Sequence, residues 1–220
     1  KTKFGTAAME FDGTEDYIST SSVTLDGDFT IEVWVKPTTT NACKLMTIGD
    51  VKQANSFEIF RGGGTPSLRI DTGTGSGNSL LIQGSADVTV NEWQHIAAVR
   101  SGSTLTFYKD GASIGSTTTS ATFTGDLRIA AEWFNGGLSG TMTGYMDEFR
   151  ISTSARYTAA FTPQSVEHDL IDVAGWGSPM LGSGQRALFV NSNGLVMKSS
   201  DGILTKMDSG SNAIKAGSLT

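Results

Sequence analysis

The chain has 220 residues, a formal net charge of −6 and a single cysteine, Cys43. It is long enough to bury one sizeable core. It has no basic cluster to meet nucleic-acid phosphates and no apolar run near the roughly 20 residues of a membrane span, and one cysteine excludes an internal disulfide. The 25 Ser, 28 Thr and 27 Gly predict many short strands joined by turns, because threonine favours strands while glycine and serine favour turns.

Strand patterns recur along the chain as far as residue 163. The clearest lies at residues 29–35, where apolar and other residues alternate until Pro37 ends the strand. Asp110-Gly111 predicts a hairpin turn. No stretch has a helical period, so the class is all-β, and the regular spacing predicts a two-sheet antiparallel sandwich or a barrel. The other predicted strands lie at 9–11, 57–60, 68–70, 79–82, 93–100, 105–109, 123–130 and 145–151.

The composition changes after Thr162-Pro163. Residues 164–187 are Gly-rich and irregular, and a short meander follows around the turn signal Asn193-Gly194. We therefore predict a sandwich at 1–163 and a small β appendage at 164–220. A meander with so little apolar area needs another surface to pack on. We predict that it holds the chain to copies of itself or to a neighbouring protein. The alternative is that it folds back on its own sandwich.

Four blocks of sequence resemble laminin-G-like domains of the concanavalin A type. Each block resembles one part of such a domain, from the opening strand and loop to the closing strand, and they lie in the same order. The resemblance covers residues 4–163 and implies a jelly-roll sandwich. The blocks are residues 11–18, 29–37, 93–111 and 144–152.

A narrower resemblance bears on function. Residues 155–163, with the sequence ARYTAAFTP, are similar to the ends of such domains in bacteriophage virion proteins. This implies a tail-fibre or capsid-decorating protein that is located in the virion and binds other virion proteins or a host-surface glycan. The alternative is an extracellular carbohydrate-binding module of a secreted bacterial enzyme or adhesin.

The acidic residues do not form the pattern of a glycosidase. A retaining glycosidase needs two carboxyl groups about 5–5.5 Å apart, which on one strand means positions two or four residues apart. Asp147 and Glu148 are adjacent, and Glu10 with Asp12 lacks the third acid of the alternating pattern in the family's enzymes. We therefore predict a protein that is not an enzyme.

The two histidines and the cysteine also have non-catalytic interpretations. His95 lies in a predicted strand, where the family's Trp-x-His pattern implies packing and hydrogen bonding. We expect His168 to be solvated and Cys43 to be an inert thiol, since no neighbouring base can be identified.

One metal site is predicted. Alternation along the closing strand places Asp147 on the same face as Phe149 and Ile151, where an unpaired carboxylate would be costly. Related jelly rolls hold a structural calcium between the opening loop and the closing strand, which implies Asp12, Gly13, Asp16 and Asp147 as ligands. The alternative is that Asp147 only accepts backbone N–H bonds.

Exposed aromatic rings are candidates for carbohydrate binding because flat rings stack on sugars. Trp133 lies in the Gly-rich segment 132–137 and is the best candidate, with Asn135 beside it. Packing in the core or in a loop is the alternative for this ring and for the other tryptophans, Trp34, Trp93 and Trp176.

Overall fold

The computed structural model describes residues 2–4, 8–63 and 67–166, and the backbone of three further strands at 186–191, 194–199 and 204–207. Every regular element in these parts is a β-strand. The strands form two large antiparallel sheets and one small hairpin sheet. The predicted all-β sandwich is therefore confirmed. In the described residues, no helix long and apolar enough to cross a membrane is present.

Sheet A contains nine strands: β1 (Met9–Asp12), β3 (Phe29–Pro37), β8 (Gln94–Ser101), β9 (Thr104–Lys109), β10 (Ala112–Thr118), β14 (Thr143–Ser152), β15 (Arg186–Asn191), β16 (Gly194–Ser199) and β17 (Leu204–Met207). Their order is β10-β9-β8-β3-β14-β15-β16-β17. β1 pairs with the first half of β14, and β15 pairs with the second half. The C-terminal meander thus continues the sandwich's own sheet.

Sheet B contains six strands: β2 (Ile18–Leu25), β4 (Cys43–Ile48), β5 (Phe57–Arg61), β6 (Leu68–Gly73), β7 (Asn78–Gln83) and β11 (Phe123–Ile129). Their order is β2-β11-β4-β5-β6-β7. The third sheet is a hairpin of β12 (Glu132–Phe134) and β13 (Gly137–Ser139).

The core lies between the two large sheets. The apolar residues of β3 that alternate in the sequence all belong to it, as the pattern predicted. Phe29 from sheet A contacts Phe57 and Phe123 from sheet B edge-to-face, with ring centroids 5.9 and 6.2 Å apart. All three rings are fully buried. This aromatic cluster, which buries a large apolar area, joins the sheets across the sandwich.

β14 does not keep the alternation that its sequence indicates. The pairing of β14 with β3 shifts register between Asp147 and Arg150, and Glu148 has a φ of 54°. This β-bulge adds one residue and reverses the faces beyond it. Met146 and Phe149 both enter the core. Asp147 therefore lies on the outer face of sheet A, and its predicted position on the apolar side is wrong.

The outer face of sheet A is covered by residues 153–163, which we call the strap. The Tyr157 and Phe161 rings of the strap stack with centroids 3.5 Å apart. Phe161 also contacts the rings of His95 and Tyr108, at 5.7 and 5.4 Å. Its backbone N–H donates to the Gly111 carbonyl at 3.0 Å. The strap therefore closes over β8 and the β9–β10 turn.

A buried ionic network lies beneath the strap. Glu32 of β3 is 1% exposed and accepts hydrogen bonds from Arg150 Nε at 2.6 Å and the Tyr157 hydroxyl at 2.8 Å. His95 Nε2 lies 3.2 Å and Arg156 Nε 3.4 Å from the same carboxylate. Burial opposes the ionisation of Glu32, but its partners, Arg150 foremost, outweigh burial and lower its pKa. The network links β3, β8, β14 and the strap.

We expect Gly111→Ala to destabilise the protein more than Gly136→Ala, a matched control. The two glycines have φ values of 79° and 82°, so alanine carries a similar backbone strain at each. An added Cβ would lie 1.7 Å from the Phe161 carbonyl oxygen at position 111, but would have no neighbour within 4 Å at position 136. Overpacking against the strap should cost about 1–3 kcal/mol more in urea unfolding. Equal losses would contradict the docking of the strap on this turn.

Candidate functional site

The site is organised by the β12–β13 hairpin. Asn135 and Gly136 form its two-residue turn, with φ values of 51° and 82°. Positive φ at both turn residues is the geometry that the Asn-Gly pair favours and that matches the twist of a hairpin. Trp133 therefore lies on a strand rather than in a loop. The Asn-Gly signal was present in the sequence, but its neighbouring strands of three residues are too short to show alternation.

Backbone hydrogen bonds fix this hairpin on the outer face of sheet B. The N–H of Val51 donates to the Trp133 carbonyl at 3.2 Å, and the N–H of Lys44 donates to the Gly140 carbonyl at 2.7 Å. The Lys44 ammonium lies 2.9 Å from the Glu132 carboxylate. These contacts hold both ends of the hairpin and set the position of the Trp133 ring.

A cleft of about 350 Å³ opens between the hairpin and the β2 edge of sheet B. The residues that line it comprise two aromatic residues, three serine or threonine residues, one aspartate and one arginine. Such a mixture of apolar rings and a few polar groups is typical of ligand sites. The lining residues are Tyr17, Ser19, Thr20, Ser21, Asp126, Arg128 and Trp133.

Arg128 is the electrostatic centre of the cleft. Its guanidinium lies over the Trp133 ring, 5.6 Å from the centroid. Its Nη1 atom lies 3.0 Å from Asp50 Oδ1, and its Nη2 atom lies 3.8 Å from Asp126 Oδ2. Two carboxylates thus hold one cation against the ring, which restrains both the ring and the guanidinium.

The predicted aromatic candidates differ in burial and in their distance from the cleft. Trp133 is half-buried and lines the cleft, while Asn135 is exposed at the tip of the same hairpin and does not line it. Trp34 is buried on sheet A, where the Phe4 ring contacts it at 5.8 Å. Trp93 is half-buried just before β8, and the predicted candidate Trp176 lies outside the described residues. Glycan binding by Trp133 and Asn135 stays a prediction.

The remaining cleft residues were not identified from the sequence. They come from three separated segments, at 17–21, 126–128 and 133. β11 pairs with β2, and this pairing brings Arg128 opposite Ser19. No local pattern in a single sequence shows which strands will be neighbours, so this grouping became visible only in the fold.

The predicted metal ligands fall into two groups, and Asp12, Gly13 and Asp16 share one loop. Asp12 Oδ1 accepts the Thr14 hydroxyl at 2.5 Å and the Thr14 N–H at 2.8 Å. These bonds lower the pKa of Asp12. Asp16 Oδ2 accepts the Asp12 N–H at 3.1 Å. The loop therefore gathers two carboxylates on one side of the sandwich.

Asp147 lies at the other end of β1. Asp12 pairs with Thr143, four residues from Asp147 along β14, or about 13 Å at the rise of a strand. Asp147 Oδ2 accepts the N–H groups of Lys3 and Phe4 at 3.1 and 3.2 Å. Burial raises its pKa, and these donors act against that rise. Within the described residues no group of three acidic, His or Cys side chains could hold a metal. Calcium stays a prediction, and the geometry restricts it to the loop.

One pair of carboxyl groups does share a face of sheet B. Glu58 and Asp71 are directly opposite on β5 and β6, a pairing between strands that the search along single strands could not detect. They are 0% and 3% exposed. Burial raises the pKa of each. Glu58 pairs with Lys44 and accepts from the Asn78 side chain at 3.1 Å. The pair is closed to a substrate in this structure.

Two of the other candidates for covalent chemistry, Cys43 and His95, are buried. Cys43 is buried, and burial raises its pKa to about 11, so at neutral pH it is a protonated thiol. His95 is 1% exposed and contacts Glu32 beneath the strap. Its backbone N–H donates to Asp110 Oδ1 at 2.8 Å. His168 lies outside the described residues.

Comparison with known structures shows the fold in other proteins. A protein from Bacteroides ovatus proposed to bind carbohydrate has a TM-score of 0.56 and 16% identity, over 88% of this chain and 60% of that one. The CBM40 of a Ruminococcus gnavus sialidase, bound to α2,3-sialyllactose, has a TM-score of 0.54 and 12% identity, over 70% and 92%. A heptameric SAP-like pentraxin from Limulus polyphemus has a TM-score of 0.52 and 15% identity, over 68% and 76%.

The search of curated protein sequences gave no significant match. A laminin-G family model, described as the concanavalin A-like lectin/glucanases superfamily, matches residues 12–160. This range begins at the end of β1 and ends within the strap, so it contains the cleft, most of both large sheets and the buried network. The chain belongs to the concanavalin A-like lectin/glucanases superfamily.

Proposed function

We propose that this chain is a non-catalytic glycan-binding module that attaches the protein or particle carrying it to a carbohydrate surface. The observation that carries the proposal is the cleft, in which the half-buried Trp133 ring stands beside hydroxyl groups of β2 and the carboxylate of Asp126. A sugar presents an apolar C–H face and a rim of hydroxyls. The ring suits the first and the polar groups suit the second.

A binding role accounts for the cleft better than hydrolysis does. Both glycosidase mechanisms require two carboxyl groups that flank the scissile bond. Asp126 is the single acidic residue among those that line the cleft. The buried pair Glu58 and Asp71 lies on the same sheet but is closed to a substrate. The described residues therefore support recognition of a glycan without its cleavage.

Two settings suit such a module. The first is a bacteriophage virion, as a tail-fibre or capsid-decorating protein. Its support is the resemblance of residues 155–163, which here form the strap. The second is a secreted bacterial enzyme or adhesin, and its support is the shared fold of the sialyllactose-bound module. Mass spectrometry of purified particles would distinguish these settings.

We also propose that residues 164–220 join the chain to copies of itself or to other particle proteins. β17 is the last strand of sheet A and pairs only with β16 among the described strands. Its other edge leaves backbone N–H and C=O groups available for a strand from another chain. Because β15 pairs with β14, a strand added at β17 would extend the same sheet that forms part of the sandwich.

We expect Trp133→Ala to weaken glycan binding at least tenfold, which corresponds to about 1.4 kcal/mol, since tryptophan is among the residues whose truncation at a binding site costs most. A glycan array would identify a ligand, and titration calorimetry would measure its affinity. Leu80→Ala is the control, because this side chain is 49% exposed on β7, at the opposite edge of sheet B from β2. Unchanged affinity in a Trp133→Ala protein that melts normally would overturn the cleft assignment.

We also expect the Asp12–Asp16 loop to bind calcium. A ligand that binds only the native state raises the melting temperature, so a chelator should lower it by several degrees. Asp16→Asn should abolish this shift. Asp147→Asn should keep it, because the oxygens of Asp147 accept backbone N–H bonds at the other end of β1. Identical melting temperatures of the wild type with calcium and with chelator would contradict calcium binding.

A further inference from the structure

We propose that the Trp133 cleft selects neutral sugars and disfavours acidic ones, such as sialic and uronic acids. This inference rests on the proposed glycan-binding function and adds a ligand class to it. Three features of the cleft favour neutral sugars: the charges around Arg128, the hydroxyl groups of β2 and the exposure of Asp126.

Arg128 is the single cation among the residues that line the cleft. An acidic sugar would need this guanidinium as its counter-ion. The guanidinium already has Asp50 at 3.0 Å and Asp126 at 3.8 Å. These three side chains together carry one net negative charge, and the whole chain carries −6. The cleft therefore offers an incoming carboxylate no free positive charge.

The position of Asp126 further weakens the binding of an acidic ligand. Its side chain is 58% exposed, and it lines the cleft on the same strand as Arg128. A ligand carboxylate that approached Arg128 would stand beside the carboxylates of Asp50 and Asp126, which lie 3.0 and 3.8 Å from the same guanidinium. Juxtaposed like charges suppress binding, which is a common device for rejecting the wrong partner.

The same groups suit a neutral sugar. The exposed carboxylate of Asp126 can accept hydrogen bonds from two adjacent sugar hydroxyls, and a charged acceptor makes these bonds strong. Ser19, Ser21 and Tyr17 add hydroxyls that can donate or accept. The Trp133 ring offers an apolar surface to the C–H face of a pyranose. Each group of such a sugar thus finds a partner without the loss of the Arg128 ion pairs.

The test uses matched pairs of glycans that differ by one acidic group, such as lactose with 3′-sialyllactose and a neutral glucan with its uronic acid counterpart. We expect the neutral member of a bound pair to bind at least tenfold tighter, and its affinity to change little between 50 and 500 mM salt. Asp126→Asn should lower the affinity for the neutral glycan several-fold. It should also reduce the difference in affinity between the neutral and the acidic glycan of a pair. Asp50→Asn, which frees one side of Arg128, should raise the affinity for the acidic member.

The results distinguish a failure of the neutral-sugar inference from a failure of the glycan-binding function. Equal or tighter binding of the acidic member that is lost in Trp133→Ala would overturn the neutral-sugar inference and leave the glycan-binding function intact. Binding of both members that Trp133→Ala does not change, or no binding by the wild type to any glycan of a broad array, would overturn the function itself.

Discussion

The buried carboxylate of Glu32 is the constraint on which the outer face of sheet A depends. A charge removed from water is stable only when charges and hydrogen bonds of good geometry surround it. Arg150 supplies the main counter-charge from β14, and the Tyr157 hydroxyl supplies a hydrogen bond from the strap at 2.8 Å. Glu32 itself lies on the central strand β3. With His95 of β8 also beside it, this one side chain ties three strands and the strap into a single unit.

The outer faces of the two sheets differ, because that of sheet A is covered and that of sheet B carries the cleft. The strap covers β8 and the β9–β10 turn, and the N-terminal residues Lys3 and Phe4 cover Trp34 and satisfy Asp147. The outer face of sheet A is thus used to stabilise the sandwich. The cleft opens instead on sheet B, where the β12–β13 hairpin stands above β4 and presents Trp133 toward β2. The proposed binding cleft and the closed face of sheet A thus lie on opposite sides of one core.

The sequence predicted those elements whose signal is local. The alternation in β3 and the Asp110-Gly111 turn are both confirmed. A period-two sequence pattern and a pair of residues that favours positive φ are each properties of a few adjacent residues. β4 was missed because its sequence, CKLMTI, does not alternate: a bulge between Lys44 and Met46 brings the adjacent residues Leu45 and Met46 both into the core. The bulge at Glu148 was missed because a single inserted residue leaves no compositional trace. The cleft needed the pairing of distant strands, which no single sequence pattern specifies.

A double-mutant cycle on Glu32 and Arg150 measures how strongly this buried ion pair stabilises sheet A and the strap. Unfolding free energies would be measured for Glu32→Gln, Arg150→Met and the double variant, with the exposed Glu15→Gln as the control. Each single change should cost about 3–5 kcal/mol because it leaves a buried charge without its main counter-charge. The double variant should cost clearly less than the sum, and hydrogen exchange of residues 155–163 should accelerate in both single variants. A loss for Glu32→Gln no larger than that of Glu15→Gln, with the strap still protected, would contradict the account.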